Sequence, residues 1–161
     1  MNDEKKALRE GSKAPKFDLP TDGNGRARLA DFAGAPLILY FYPKDDTAGC
    51  TREALDFTAA ARSFGRLGAK VVGVSKDAAA KHDKFKAKHG LKLILASDET
   101  GDVVEAYGAW VEKTLYGRKY MGIDRSTFLI DGKGVIRRIW RKVKVPGHVE
   151  AVLEATKALA A

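Results

Sequence analysis

Apolar residues along the chain fall into short continuous runs, separated by stretches with helical spacing. The clearest run is Pro36-Leu37-Ile38-Leu39-Tyr40-Phe41-Tyr42, which no polar side chain interrupts and Pro43 ends. Such a run predicts a strand buried on both faces, because a half-exposed strand would alternate apolar and polar positions. Similar short runs over Lys70 to Val74, Leu91 to Ala96 and Ser126 to Ile130 predict further strands. From Val135 to Val143 the pattern changes: Val135, Ile139 and Val143 stand among basic residues, after the turn Asp131-Gly132-Lys133-Gly134. This predicts a hairpin at a basic end of the molecule.

Between the runs the spacing becomes helical. From Ala48 to Leu67 the apolar positions Cys50, Ala54, Phe57, Ala61 and Phe64 recur on one face, while Arg52, Asp56 and Ser63 lie off it. A second helix is expected from Ala78 to His89, stopped by Gly90, and a third from His148 to Leu159 after Pro146-Gly147. A short helix fits Asp102 to Tyr107. Strands alternating with helices indicate an α/β fold with some parallel pairing, and the late hairpin adds antiparallel strands. The expected architecture is a central mixed β-sheet flanked by helices.

A length of 161 residues suits one domain over 1–161, with the charged residues 1–10 as a tail. An apolar share of 45% is enough for a core and excludes global disorder. The longest apolar run is far below the roughly 20 residues that a bilayer requires. The opening MNDEKKALRE lacks the apolar centre of a secretory signal, so a cytoplasmic location is expected. Lys and Arg number 29 against 21 Asp and Glu, a net charge of +8, and the segment 111–144, with ten basic and three acidic residues, carries +7 of it. Such a field attracts nucleic acid, an acidic partner or an anionic substrate, and composition does not choose among them.

Cysteine usage narrows the chemistry. Cys50 is the only cysteine, so an intrachain disulfide and a multi-cysteine metal site are both excluded. A lone cysteine is most often a small buried apolar residue, but this one opens its helix. With Asp46 or Thr47 as N-cap, it falls in the first turn, where unpaired backbone N–H groups and the helix dipole favour an anion such as a thiolate. A thiol of ordinary pKa near 8.5 is only about 3% ionised at pH 7, whereas one near 6 is about 90% ionised.

The strand end and turn before that helix read Tyr40-Phe41-Tyr42-Pro43-Lys44-Asp45-Asp46-Thr47-Ala48-Gly49-Cys50, which is P-x-x-x-T-x-x-C. Here the chain resembles the peroxiredoxins, in particular their bacterioferritin-comigratory-protein or PrxQ branch. The resemblance extends from Gly11 onward, through GSKAPKFDLPTDG at 11–23, KDDTAGCTREALDF at 44–57 and YGRKYMGIDRSTFLIDGKG at 116–134. It implies a thioredoxin-like fold and a monomeric thiol-dependent peroxidase acting on hydrogen peroxide and organic hydroperoxides. Cys50 would then be the peroxidatic residue that becomes a sulfenic acid. Thr47 would orient the peroxide, and backbone N–H groups near Gly49 and Cys50 would stabilise charge. Pro43 would shield the sulfenate, Arg125 would favour the thiolate and bind the peroxide oxygens, and Glu53 would orient Arg125.

Two departures from the family pattern stand out. Ala48 replaces a proline often found before Gly-Cys, and Leu55 occupies the position, five after the nucleophile, of a common resolving cysteine. No substitute occurs elsewhere, including Ala78-Ala79-Ala80. The resemblance therefore implies a one-cysteine form whose sulfenic acid is reduced by an external thiol, either thioredoxin, the family's usual reductant, or else glutathione or glutaredoxin.

Other readings explain less. A dithiol oxidoreductase would need a first thiol where Thr47 stands in Thr47-Ala48-Gly49-Cys50. Arg137-Arg138-Ile139-Trp140-Arg141-Lys142-Val143-Lys144 offers phosphate contacts and a stacking ring, but no nucleic-acid module accompanies it, and Trp140 is more simply a cross-strand packing residue. An acidic docking partner would suit the same surface. His82 and His89 lie too far apart on their helix to pair as metal ligands, and His148 has only Glu150 nearby. Gly23-Asn24-Gly25 lacks a third glycine and reads as a turn. Neither a cofactor nor a metal is expected.

Overall fold

The computed structural model describes residues 8–160. In chain order the strands are β1 (Asp18–Thr21), β2 (Gly25–Arg28), β3 (Leu37–Phe41), β4 (Lys70–Ser75), β5 (Ile94–Ser97), β6 (Trp110–Leu115), β7 (Arg118–Ile123), β8 (Ser126–Ile130) and β9 (Ile136–Trp140). The helices are α1 (Ala48–Ala59), α2 (Ala61–Arg66), α3 (Ala79–His89), α4 (Asp102–Ala106) and α5 (His148–Ala160). Seven strands form one mixed sheet in the order β2-β1-β5-β4-β3-β8-β9, and β6 with β7 makes a separate antiparallel ribbon. β3 pairs with β4 in parallel and with β8 antiparallel.

β3 is central, which accounts for its unbroken apolar run. Leu37, Leu39 and Phe41 point into one core, with the α4 residues Val103 and Val104, while Ile38 and Tyr40 point into the other, with Phe57 of α1, Phe85 of α3 and Val152 of α5. Every residue of β3 is buried. The antiparallel register sets Phe41 opposite Ser126, so the residue preceding β8, Arg125, lies beside the C-terminal end of β3. That end leads directly into the turn carrying Pro43 and Thr47 and then into α1.

Four features differ from the sequence expectation. The helix expected over 48–67 is two helices, because the backbone leaves helical geometry at Ala60. Phe57 and Phe64 on either side of the break still face one core, with ring centroids 6.0 Å apart. The strand expected from Leu91 begins at Ile94, although Leu91 and Leu93 are buried in the approach to it. The ribbon at 110–123 and the edge hairpin β1–β2 carry no clear apolar alternation; the turn within the latter spans Asp22–Asn24, overlapping the expected Gly23-Asn24-Gly25. Most of the expected tail lies outside the described residues, but Leu8 packs against the first core and the Gly11 amide donates to the Ile136 carbonyl.

Candidate active site

Thr47 caps α1 by position, with an extended backbone, but its side chain makes no capping bond. Its Oγ1 instead donates to the Lys44 carbonyl at 2.8 Å, which leaves the hydroxyl lone pairs free to accept. The first intrahelical bond runs from the Thr51 amide to the Thr47 carbonyl, so the N–H groups of Ala48, Gly49 and Cys50 precede the ladder. Cys50 is therefore in the first turn, 2% exposed, with its thiol free.

Arg125 reaches this sulfur from the loop just before β8. One guanidinium nitrogen lies 3.5 Å from Cys50 Sγ, and the other donates to Glu53 Oε1 at 2.7 Å. Gly49 permits the approach, since a Cβ there would sit 3.1 Å from the guanidinium. The arginine backbone is held by the Val143 amide, which donates to the Arg125 carbonyl, while the adjacent Asp124 amide donates to Ala109. Burial works against the guanidinium charge, but Glu53 and Cys50 outweigh it and hold the Arg125 pKa above its ordinary value. Glu53 is itself fully buried, and burial, only partly offset by Arg125, pushes its carboxyl up to about 7.

Of the residues expected from sequence, Cys50, Gly49, Glu53 and Arg125 thus form one contact group, and Thr47 lies at the entrance to the same helix. Pro43 ends the buried run as expected and is exposed on the turn. Leu55 is 39% exposed. Five residues on from Cys50 it is turned about 140° around the helix, away from the sulfur.

Sequence reasoning missed a further shell. Tyr40, beneath the site, has a fully buried hydroxyl with no partner, as does Glu53 Oε2. His148 is held in the core: its Nε2 lies 2.8 Å from Thr127 Oγ1, and burial followed by the nearby Arg125 lowers its pKa to about 4. His82 is entirely buried against Asp45. The signals were present as acids next to the motif and histidines on apolar faces, but only the fold supplies their partners. Ligand atoms of Asp45, Asp77 and His82 lie within 4.8 Å of one another, the set nearest to a metal site among the described residues. Both His82 nitrogens are already engaged, with Asp45 and with the Ala96 carbonyl.

The basic hairpin also serves internal contacts. Arg137 pairs with Asp131, Arg141 donates to the Tyr107 and Gly108 carbonyls, and Trp140 packs on the second core, edge-on to His148.

Comparison with known proteins agrees with this geometry. Residues 11–139 match the AhpC/TSA family. The chain is 47% identical to peroxiredoxin Bcp of Bacillus subtilis over 91% of its own length and 94% of the relative's. Its fold matches the Xylella fastidiosa PrxQ structure with a TM-score of 0.91 at 39% identity, covering 96% of this chain and 99% of that one. It also matches Xanthomonas campestris bacterioferritin comigratory protein, solved in connection with alkyl peroxide reduction, with a TM-score of 0.86 at 45% identity, covering 90% and 92%. Similar structures of Xanthomonas campestris peroxiredoxin Q include serine variants at two different cysteines, whereas this chain has one cysteine. These similarities support a peroxidase and not the nucleic-acid reading of residues 135–144. With sequence, fold and thiol environment in agreement, the chain belongs to the AhpC/TSA family and is a thiol peroxidase of its peroxiredoxin Bcp/PrxQ branch.

Proposed function

We propose that Cys50 is the peroxidatic nucleophile and that an external thiol recycles it. The observation that carries this reading is the Arg125 guanidinium 3.5 Å from Sγ, at the first turn of α1, where the backbone amides precede the hydrogen-bond ladder. Both features favour negative charge on sulfur and on a departing oxygen. The Cys50 thiolate attacks the terminal peroxide oxygen; an S–O bond forms as the O–O bond breaks, leaving a sulfenic acid. The departing alkoxide or hydroxide takes a proton and leaves as alcohol or water. Thr47 accepts a hydrogen bond from the peroxide O–H, because its own proton is committed to Lys44. Arg125 and the Gly49 and Cys50 amides stabilise the developing charge, Glu53 orients Arg125, and Pro43, at the exposed rim, shields the sulfenate.

One external thiol then displaces water from the sulfenic acid to give a mixed disulfide, and a second releases the Cys50 thiol and leaves with the first as a disulfide. Thioredoxin, or glutathione with glutaredoxin, can fill this role. We assign the chain to the cytoplasm, to catalysis as a monomer and to substrates including hydrogen peroxide and organic hydroperoxides. Among the described residues, no helix is long and apolar enough to cross a membrane.

The test is stopped-flow oxidation of the reduced protein by hydrogen peroxide, followed by Trp fluorescence, with Cys50→Ser as control. A fast phase that vanishes in the variant is expected. A wild type no faster than an ordinary free thiolate at the same pH would remove Cys50 from catalysis.

A further inference from the structure

Behind the turn that carries Thr47 lies a second group of buried charges that the reaction does not use. The Tyr42 hydroxyl donates to one Asp45 carboxylate oxygen, and His82 Nδ1 lies 2.6 Å from the other. The Asp45 amide donates to Asp77 Oδ2 at 2.8 Å, and Asp77 also accepts from Ser75 at 2.7 Å. His82 and Asp45 side chains are both wholly excluded from solvent. At the next residue, the Asp46 carboxylate takes Lys88 Nζ at 2.7 Å and His89 Nε2 at 2.8 Å. His82, Lys88 and His89 all belong to α3, which supplies no atom to the Cys50–Arg125–Glu53 group. The helix therefore grips two successive residues of the turn, and Thr47 follows at once.

This cluster resembles a metal site in composition, but its hydrogen bonding describes a latch. A backbone carbonyl only accepts, so His82 Nε2 must donate to Ala96, and Nδ1 shares the remaining proton with Asp45. No ring nitrogen is left for an ion. The turn also has a reason to need holding: Asp46 has a φ of +63°, a left-handed conformation that costs a residue with a side chain more than it costs glycine, though aspartate less than most.

We propose that α3 is the positioning element for the peroxide-binding turn, with His82 as its principal residue. Through Asp45 it sets the Thr47 hydroxyl and the first turn of α1 relative to Cys50. A misplacement of about 1 Å between reacting groups can slow a reaction roughly a hundredfold, so a latch outside the reacting shell can still control rate. The proposal rests on Cys50 being the nucleophile and adds which residues keep its partners in register.

The experiment pairs His82→Asn with His82→Gln. The asparagine amide takes the place of Nδ1 and keeps a donor for Asp45; the glutamine amide takes the place of Nε2, keeping Ala96 and losing Asp45. Both lose one bond, so a purely structural role for His82 makes their rates follow their stabilities. We expect the second-order rate with hydrogen peroxide to fall about tenfold or more in His82→Gln and to stay within about threefold of wild type in His82→Asn, whatever the order of their urea midpoints. Equal slowing of the two, or wild-type rates in both, overturns the proposal. Asp46→Gly covers the case in which His82→Gln fails to fold. It relaxes the left-handed backbone while removing the Lys88 and His89 ties, and a slower reaction without lost stability is expected. A wild-type rate in Asp46→Gly overturns the proposal. Loss of the fast phase in wild type instead overturns the nucleophile reading beneath it.

Discussion

Glu53 meets two opposing demands. It accepts from Arg125, whose other terminal nitrogen faces the Cys50 sulfur, and it does so from a fully buried position with Oε2 unpartnered. Burial wins and raises its carboxyl from 4.5 to about 7. In the unfolded chain the group ionises near 4.5, so between there and about 7 the folded protein holds a proton that the unfolded chain has released. Its contribution to stability is full below the unfolded value and is lost as pH rises through the folded value. His148 acts with the opposite sign: burial, then Arg125, depresses its pKa to about 4, so its contribution grows as pH rises from about 4 through the unfolded value of 6.5. The two overlap, and a difference measurement separates them. Urea unfolding of wild type and Glu53→Gln at pH 5 and pH 7.5 should show the variant gaining up to ~3 kcal/mol on wild type at the higher pH. Peroxide reactivity should stay within about threefold of wild type in Glu53→Gln, whose amide oxygen still accepts from Arg125. It should fall roughly tenfold in Glu53→Ala, which leaves the guanidinium unguided.

Strand β4 shows the same site supported from below. Gly73, in its middle, lies under Tyr40, and a Cβ there would come 2.7 Å from the ring and 2.8 Å from the hydroxyl. The ring has no room to yield, being stacked on Phe57 at 4.7 Å between centroids and packed beside Tyr42. Gly73→Ala should therefore cost about 1–3 kcal/mol in urea unfolding, as overpacked cores do. Tyr40→Phe should be neutral or stabilising, because the hydroxyl it removes is buried without a partner. In the double variant the loss should be smaller than in Gly73→Ala alone. This arrangement also marks where sequence is legible. β3 is plain because burial on both faces makes every position apolar, and the motif from Pro43 to Cys50 is plain because its chemistry lies within one turn. The break at Ala60 has no local signal in Ala59-Ala60-Ala61, and the half-exposed ribbon 110–123 mixes Glu112, Lys113 and Thr114 into its strands. Tyr40 over Gly73, His82 under Asp45 and Arg125 against Glu53 are contacts between segments far apart in sequence. Of these, only the last could be anticipated, and that by family resemblance.

At the scale of the whole molecule, one cysteine among 161 residues limits the catalytic cycle. Oxidised Cys50 has no partner thiol in its own chain, and Leu55 points away from it on the same helix. A disulfide requires sulfurs about 2.05 Å apart in a defined geometry. Two Cys50 residues, each only 2% exposed on the first turn of a packed helix, do not meet across two copies of the chain without opening of that turn. Without reductant, the protein should therefore consume one equivalent of hydrogen peroxide in a burst and stop, before slower overoxidation. Mass spectrometry of the quenched product should show one added oxygen, with little disulfide-linked dimer on a non-reducing gel. Addition of a small thiol should restore steady turnover, because it reaches the recessed sulfenic acid more readily than a second folded copy does. A burst of half an equivalent, with the chains joined in pairs, would show that α1 opens readily and that a second copy serves as the resolving thiol, placing the control of recycling in that helix turn rather than in the external reductant.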